Sequence, residues 1–286
     1  MSKQSGPIAV LGIGIMGAAV ARNLHRQGFV VHAWNRTPQA AQALEAEGIQ
    51  VHAKAEQAVR GAQVIITLGK DGPAVLQAMH QAQDGFQPAA LWLQMATVGV
   101  EACDELQALA RARGLVFYDV PLLGTRQPAE QGQLVVLGAG SGSHREALQP
   151  LFAAISKRVL WVSERPGDAS RLKLALNSWV LALNHGAAES LALAKGLGLD
   201  PALVVELVTG GPLDSGYFQA KTRAMLSADY QPSFTLANAL KDAQLVVAAA
   251  HSAGVRVDLA EAGLQRFQRA MEQGHGDKDM AASYLG

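Results

Sequence analysis

The sequence predicts an α/β protein in two parts. Residues 1–165 should form a parallel sheet covered by helices, and residues 166–286 an all-α domain, with a long interdomain helix joining them. Three observations predict this. The chain has 286 residues, about twice an ordinary domain. Short apolar runs alternate with helical stretches as far as Arg165-Pro166-Gly167. Beyond that point the strand-like runs stop, and long stretches of Ala, Leu, Val and Gln with helical spacing replace them.

The elements follow in order. Ile8-Ala9-Val10-Leu11 is a short apolar run ending at glycine, as a strand buried on both faces should be. Residues 18–27 read as a helix closed by Gly28, and residues 29–34 as the second strand. Residues 64–68 and 91–95 read as further strands, and residues 101–113 as a helix stopped by Gly114. Residues 116–120 form a strand ending at Pro121, and residues 134–137 and 159–162 add two more. Strands separated by helices imply a parallel sheet covered on both faces. In the second part, residues 168–195 are long enough to join two domains. Asp200 is a good N-cap ahead of Pro201, and residues 236–253 and 258–273 complete the helices. With no long polar linker, the two domains are expected to be fixed to each other with a cleft between them.

Composition narrows the function. Hydrophobic residues make up 49% and charged ones 17%, which suits a large core and argues against disorder. Lys plus Arg total 24 and Asp plus Glu total 24, so nothing in the overall charge points to nucleic acid or to an anionic membrane as partner. The single cysteine, Cys103, cannot form an internal disulfide and fits a reducing compartment. The eight histidines show no HExxH spacing, so no zinc site is expected. His275, Asp277 and Asp279 could be mistaken for a metal cluster, but a solvated C-terminal segment explains them as well. Residues 8–21 superficially resemble a signal-peptide core, yet they hold three glycines at nucleotide-loop spacing and run into a polar helix. No run approaches the roughly 20 apolar residues that span a bilayer, so a cytoplasmic protein is expected.

Gly12-Ile13-Gly14-Ile15-Met16-Gly17 satisfies GxGxxG between a strand and a helix, the context a dinucleotide loop requires. The first glycine permits a tight turn, the second lets backbone approach a pyrophosphate, and the third allows close helix–strand packing. The helix N-terminus offers free amides to the phosphates. This marks the first domain as a Rossmann domain. Enzymes that use NAD usually place Asp or Glu at the end of the second strand, about 20 residues beyond the loop, to bind the ribose hydroxyls. Here Trp34-Asn35-Arg36-Thr37 holds no carboxylate. The planar fork of Arg36 can pair with a 2′-phosphate, with Asn35 and Thr37 adding hydrogen bonds, which favours NADP(H) over NAD(H). The residues that this loop and strand end place against the cofactor are Gly12, Gly14, Ile15, Met16, Gly17, Asn35, Arg36 and Thr37.

The loop at Gly12 to Gly17, the segment Asp119-Val120-Pro121-Leu122-Leu123-Gly124, Lys173 with Asn177, and Lys241-Asp242 stand in an order that resembles the β-hydroxyacid dehydrogenases. The resemblance covers nearly the whole chain. Several segments look closest to the glyoxylate/succinic semialdehyde reductase branch: 127–134, 171–177 and His275-Gly276-Asp277. The resemblance implies that Lys173 is the catalytic acid/base, that Thr97 contacts substrate near the nicotinamide, and that Leu68, Thr97 and Lys241 also lie against the cofactor. It implies that Leu123, Gly124 and Thr125 lie in the segment that binds a substrate carboxylate, and that Phe234, Lys241 and Asp242 close the cleft. Family members are dimers or tetramers, and the Ala/Leu-rich helical part has apolar surface to spare, so a homodimer or homotetramer is expected.

Elementary chemistry agrees about Lys173. Hydride delivery to a carbonyl carbon leaves charge on oxygen, which needs a nearby cation and then a proton. An ammonium supplies both if partial burial lowers its pKa. Lys173 and Asn177 stand four apart, so a helix puts them on one face, and Asn177 can orient the same oxygen or the lysine. Two positions depart from the family pattern. Leu123 stands where a serine usually helps hold the carboxylate, and Ala169 replaces a glycine ahead of the lysine. Either Thr125 or Arg126 compensates for the lost hydroxyl, or the substrate is bulkier and less polar than glyoxylate. The expected function is therefore an NADPH-dependent reductase of small aldehydes or keto and semialdehyde acids, working reversibly. An imine reductase is the alternative. Leu122-Leu123 leans that way, whereas Lys173 argues against it. A nucleotide-binding regulatory protein that has lost catalysis would be expected to have lost Lys173, Asn177 or Asp242 as well.

Overall fold

A computed structural model describes residues 6–286; residues 1–5, which the first expected domain includes, lie outside the described residues. The chain divides into two compact units, Met1–Lys173 and Leu174–Gly286.

Among the described residues the first unit carries nine strands. They are β1 (Ile8–Leu11), β2 (Val31–Trp34), β3 (Gln50–Val51), β4 (Val64–Thr67), β5 (Leu91–Gln94), β6 (Val116–Asp119), β7 (Leu122–Leu123), β8 (Leu134–Ala139) and β9 (Ser156–Ser163). Between them run α1 (Ile15–Arg26), α2 (Gln39–Glu45), α3 (Ala55–Val59), α4 (Gly72–Ala82), α5 (Val100–Ala112), α6 (Arg126–Glu130) and α7 (Arg145–Ile155). The strand order begins β3-β2-β1-β4-β5-β6, all parallel, which is the order of a Rossmann sheet. Period-two alternation builds its two-sided core. Ile8, Val10, Val64, Ile66, Leu91 and Leu93 face one apolar cluster, while Ala9, Leu11, Ile65 and Trp92 face the other.

Three details differ from the sequence-based expectation. The second strand starts at Val31 because Gly28, with φ +84°, closes α1 by donating to His25 O, and Phe29 N then reaches back to Leu24 O. The first helix starts at Ile15, directly out of the glycine loop. The sheet is not parallel throughout: β8 runs antiparallel to β6 and to β7. Between β6 and β8 the chain forms the two-residue β7, which pairs antiparallel with β8 across the short helix α6.

Helix α8 (Asp168–Gly196) is continuous through the junction at Lys173 and Leu174. The second unit adds α9 (Ala202–Val208), α10 (Gly216–Ser227), α11 (Leu236–Ser252) and α12 (Asp258–Glu272). Asp200 Oδ1 accepts from Ala202 N at 2.9 Å, as an N-capping side chain should. Leu181, Leu236, Ala239, Ala243, Phe267 and Ala270 form this unit's main core. Among the described residues the second unit contains no strand, only the isolated bridge Thr235–Asp279. Nor is any helix among them long and apolar enough to cross a membrane.

Candidate active site

Strand register assembles the site's edge. Trp34, Leu11, Thr67, Gln94 and Asp119 end β2, β1, β4, β5 and β6, and they lie side by side in one row across the sheet. The residues just beyond this row are Asn35, Gly12, Leu68, Met95 and Val120. An open α/β sheet presents ligands at this edge, next to the switch point between β1 and β4.

Glycine is required in the loop for measurable reasons. Gly12 has φ +104°, and a Cβ there would meet Leu68 O at 2.6 Å. A Cβ at Gly17 would meet Gly12 O at 1.9 Å, so no side chain fits. A Cβ at Gly14 would meet nothing within 4 Å, which leaves open space over the loop. Helix α1 has no side-chain cap and no acidic residue in its first turn, whereas α4 is capped by Asp71 accepting from Ala74 N at 2.9 Å. An uncapped helix start, open space and backbone amides fit a pyrophosphate.

The discriminator region is divided between two jobs. Asn35 Oδ1 accepts from Ile13 N at 2.8 Å, and its Nδ2 donates to Thr37 O at 2.9 Å. Asn35 therefore ties the end of β2 to the glycine loop. Arg36 is exposed and makes no hydrogen bond or ion pair among the described residues, and Thr37 is exposed beside it. Ile15 and Met16, half-buried, open α1, and Leu68 lies beneath Gly12.

Farther along the edge, the fully buried Gln94 clamps the backbone of Ala96: Oε1 accepts from Ala96 N and Nε2 donates to Ala96 O, both at 2.8 Å. This turn delivers the half-buried Thr97. Beyond β6, Gly124 has φ +132°, and a Cβ would meet Leu134 Cδ2 at 2.7 Å. Leu123 and Thr125 flank it, both half-buried, while the exposed Arg126 pairs with Glu130 at 3.4 Å.

Lys173 is half-buried, and its Nζ donates to Leu122 O at 2.8 Å. One turn later on α8, the buried Asn177 donates through Nδ2 to Asp242 Oδ2 at 2.8 Å. Asp242 also pairs with Lys241 at 2.5 Å. Asn177, Lys241 and Asp242 thus form one cluster in the second unit. Phe234 is half-buried and packs against that unit's core, and its N–H reaches Asp279 Oδ2 at 3.3 Å.

Asp279 is a correction. It is not a solvated tail residue but is 3% exposed. It accepts from Lys221 Nζ at 2.6 Å and from the Ser233 hydroxyl, and from the backbone of Ser233, Phe234 and Ala281. Burial acts to raise its pKa, but the Lys221 ammonium and these donors hold the carboxyl below the usual range. Sequence reasoning also left Gln94 and Asp119 without roles. The available signal was a polar residue closing an otherwise apolar strand.

The comparisons with known proteins agree with this architecture. Residues 7–163 match the family model for the NAD-binding domain of 6-phosphogluconate dehydrogenase, and residues 167–285 that for the NAD-binding of NADP-dependent 3-hydroxyisobutyrate dehydrogenase. The chain is 28% identical to the uncharacterized oxidoreductase YfjR of Bacillus subtilis, over 96% of this chain and 97% of that one. It is also 28% identical to glyoxylate/succinic semialdehyde reductase 1 of Arabidopsis thaliana, over 96% of each. The crystal structure of a 3-hydroxyisobutyrate dehydrogenase from Salmonella typhimurium superposes with a TM-score of 0.90 at 26% identity, covering 98% of this chain and 99% of that one. With the glycine loop, the strand order and both family models in agreement, the chain belongs to the β-hydroxyacid dehydrogenase family and is an NAD(P)-dependent oxidoreductase acting on CH–OH and C=O groups.

Proposed function

We propose that the protein is an NADPH-dependent reductase of small aldehydes or of 2-keto and semialdehyde acids, reversible as a hydroxyacid dehydrogenase and working in the cytoplasm. One observation carries the reading: the Lys173 amine, half-buried, donates to Leu122 O at 2.8 Å, next to Leu123 and Gly124. A bound nicotinamide dinucleotide supplies the hydride that the carbonyl carbon accepts. Lys173 Nζ steadies the carbonyl oxygen and hands it a proton as charge develops there. Asn177, oriented by Asp242, offers the next polar contact along α8. Gly124 and Thr125 take the substrate's acid end, and Thr97 meets the substrate from the turn after β5. Preference for NADP(H) is supported by the exposed Arg36 and by the absence of a carboxylate among residues 34–37.

Leu123 argues for a substrate bulkier and less polar than glyoxylate, because a leucine cannot replace the hydroxyl that would hold a second carboxylate oxygen. The same apolar residue is what favours imine reduction as the second reading. Against it stands Lys173, since a C=N nitrogen carries its own basicity and has less need of an ammonium. We further propose a homodimer or homotetramer, because Leu193, Leu197, Leu207 and Leu213 of the second unit are each more than half exposed. NADPH oxidation against a panel of aldehydes, keto acids and cyclic imines tests the reading. Turnover of semialdehydes or keto acids supports it. Turnover of cyclic imines alone overturns it in favour of the second reading, and no turnover of any class overturns both.

A further inference from the structure

We infer that Asp119 is the positioning residue for Lys173, pinning the start of α8 to the end of β6 so that Nζ can occupy only one place beside Leu122. This rests on Lys173 being the proton donor proposed above. Asp119 is fully buried, and both of its oxygens are engaged. Oδ2 accepts from Gly167 N at 3.0 Å and from Ser170 N at 2.8 Å, while Oδ1 accepts from the Ser170 hydroxyl at 2.7 Å. The amides of a helix's first turn have no partner within the helix and are normally capped by a neighbouring side chain. Helix α8 is different. Its own opening acid, Asp168, is turned to Arg165 at 3.2 Å and Arg171 at 3.6 Å, and a carboxylate about 50 residues away in sequence does the capping.

The geometry closes a ring. From Asp119, one branch runs along the backbone through Val120 and the stiff Pro121 to Leu122. The other runs through the side chain to Ser170 and then up one helical turn to Lys173, which shares a face with Ser170 at i, i+3. The two branches meet at the hydrogen bond from Nζ to Leu122 O. A flexible four-carbon side chain is thereby restricted to one arrangement relative to the sheet edge. Ala169 and Ser170 are 0% and 3% exposed, so the helix start has no room to slide. Asp119 cannot itself be the acid that meets substrate, because it is sealed from solvent with both oxygens occupied.

Three variants of the full chain test this: Asp119→Ala, Asp119→Asn and Ser170→Ala. Asparagine keeps the shape, accepting from both amides through Oδ1 and donating to the Ser170 hydroxyl, so it should retain the position without the charge. Asp119→Ala is expected to lower kcat about 100-fold, the scale of a displacement near 1 Å, with NADPH Kd unchanged. Asp119→Asn should stay within about threefold of the parent, and Ser170→Ala should fall between the two. A second readout does not depend on turnover: acetic anhydride labelling of Lys173, followed by mass spectrometry, should quicken several-fold in Asp119→Ala and stay unchanged in Asp119→Asn. Parent-like kcat and labelling in Asp119→Ala would overturn the proposal, as would losses that track Tm across the series instead of labelling. If Asp119→Ala fails to fold, Ser170→Ala decides by the same two readouts. Retained turnover in Lys173→Ala would sink the proton-donor reading alone, and the labelling series would still judge the anchor.

Discussion

Single residues separate the jobs within the cofactor loop. Gly17 has a backbone oxygen 1.9 Å from where a Cβ would stand, so Gly17→Ala should lower Tm and abolish cofactor binding together. Gly14 has open space at the same position, so Gly14→Ala should fold with an unchanged Tm yet raise the cofactor Kd about tenfold or more, because its methyl enters the space a pyrophosphate needs. Differential scanning fluorimetry beside NADPH fluorescence titration reads both. A Gly14→Ala protein that binds NADPH normally would contradict the loop's assignment. Arg36 is exposed and makes no hydrogen bond or ion pair among the described residues, so its replacement should leave the fold intact. Arg36→Asp should reduce the NADPH-over-NADH ratio of kcat/KM by about 100-fold, through a lost charge-assisted pair and an added repulsion. An unchanged ratio would remove the preference proposed here.

At the scale of elements, the second unit depends on a buried clamp. Asp279 joins α10, through Lys221, to the turn before α11, through Ser233 and Phe234. Removing one partner leaves a charge buried without its counterpart, so Asp279→Ala should cost about 3–5 kcal/mol, read as a lower midpoint in urea unfolding. A change below about 1 kcal/mol would show that the pair is dispensable. The sequence could not reveal this clamp, because 58 residues separate its ends and nothing local marks Asp279 as buried. The same reason hid the role of Asp119, which meets Ser170 51 residues later. What was legible had a local cause. Glycine spacing marked the loop, apolar runs marked β1, β4 and β5, and glycines with positive φ marked the helix ends at Gly28 and Gly114. The two-residue strands β3 and β7 were not legible, since so short a run carries no period. The antiparallel direction of β8 was hidden with them, since its partner β7 is one of these two-residue strands.

At the scale of the whole molecule, mild acid should act on a buried histidine. His185 of α8 is 8% exposed, packs against Phe267 with ring centroids 4.3 Å apart, and has no hydrogen-bond partner on either ring nitrogen among the described residues. Burial, reinforced by the charge of Arg266, pushes its pKa down from 6.5 to about 4. Above pH 6.5 the ring is neutral in folded and unfolded chains alike, and it contributes no pH dependence. As pH falls from 6.5 towards 4, the unfolded chain takes up a proton that the folded one refuses, and stability drops by up to about 3 kcal/mol. Urea titrations between pH 7.5 and 4.5 should show this loss, and His185→Leu should flatten that part of the curve. An unaltered slope in the variant would assign acid sensitivity elsewhere. Oligomeric assembly belongs to the same scale: sedimentation is expected to give a dimer or tetramer, and a stable monomer would refute it.

The most direct measurement of the central claim is the turnover of Lys173→Ala set against its NADPH affinity. Loss of a positioned general acid predicts a kcat lower by about 10²–10⁴-fold at unchanged NADPH Kd. A variant that binds NADPH and reduces its carbonyl substrate at the parent rate would contradict it.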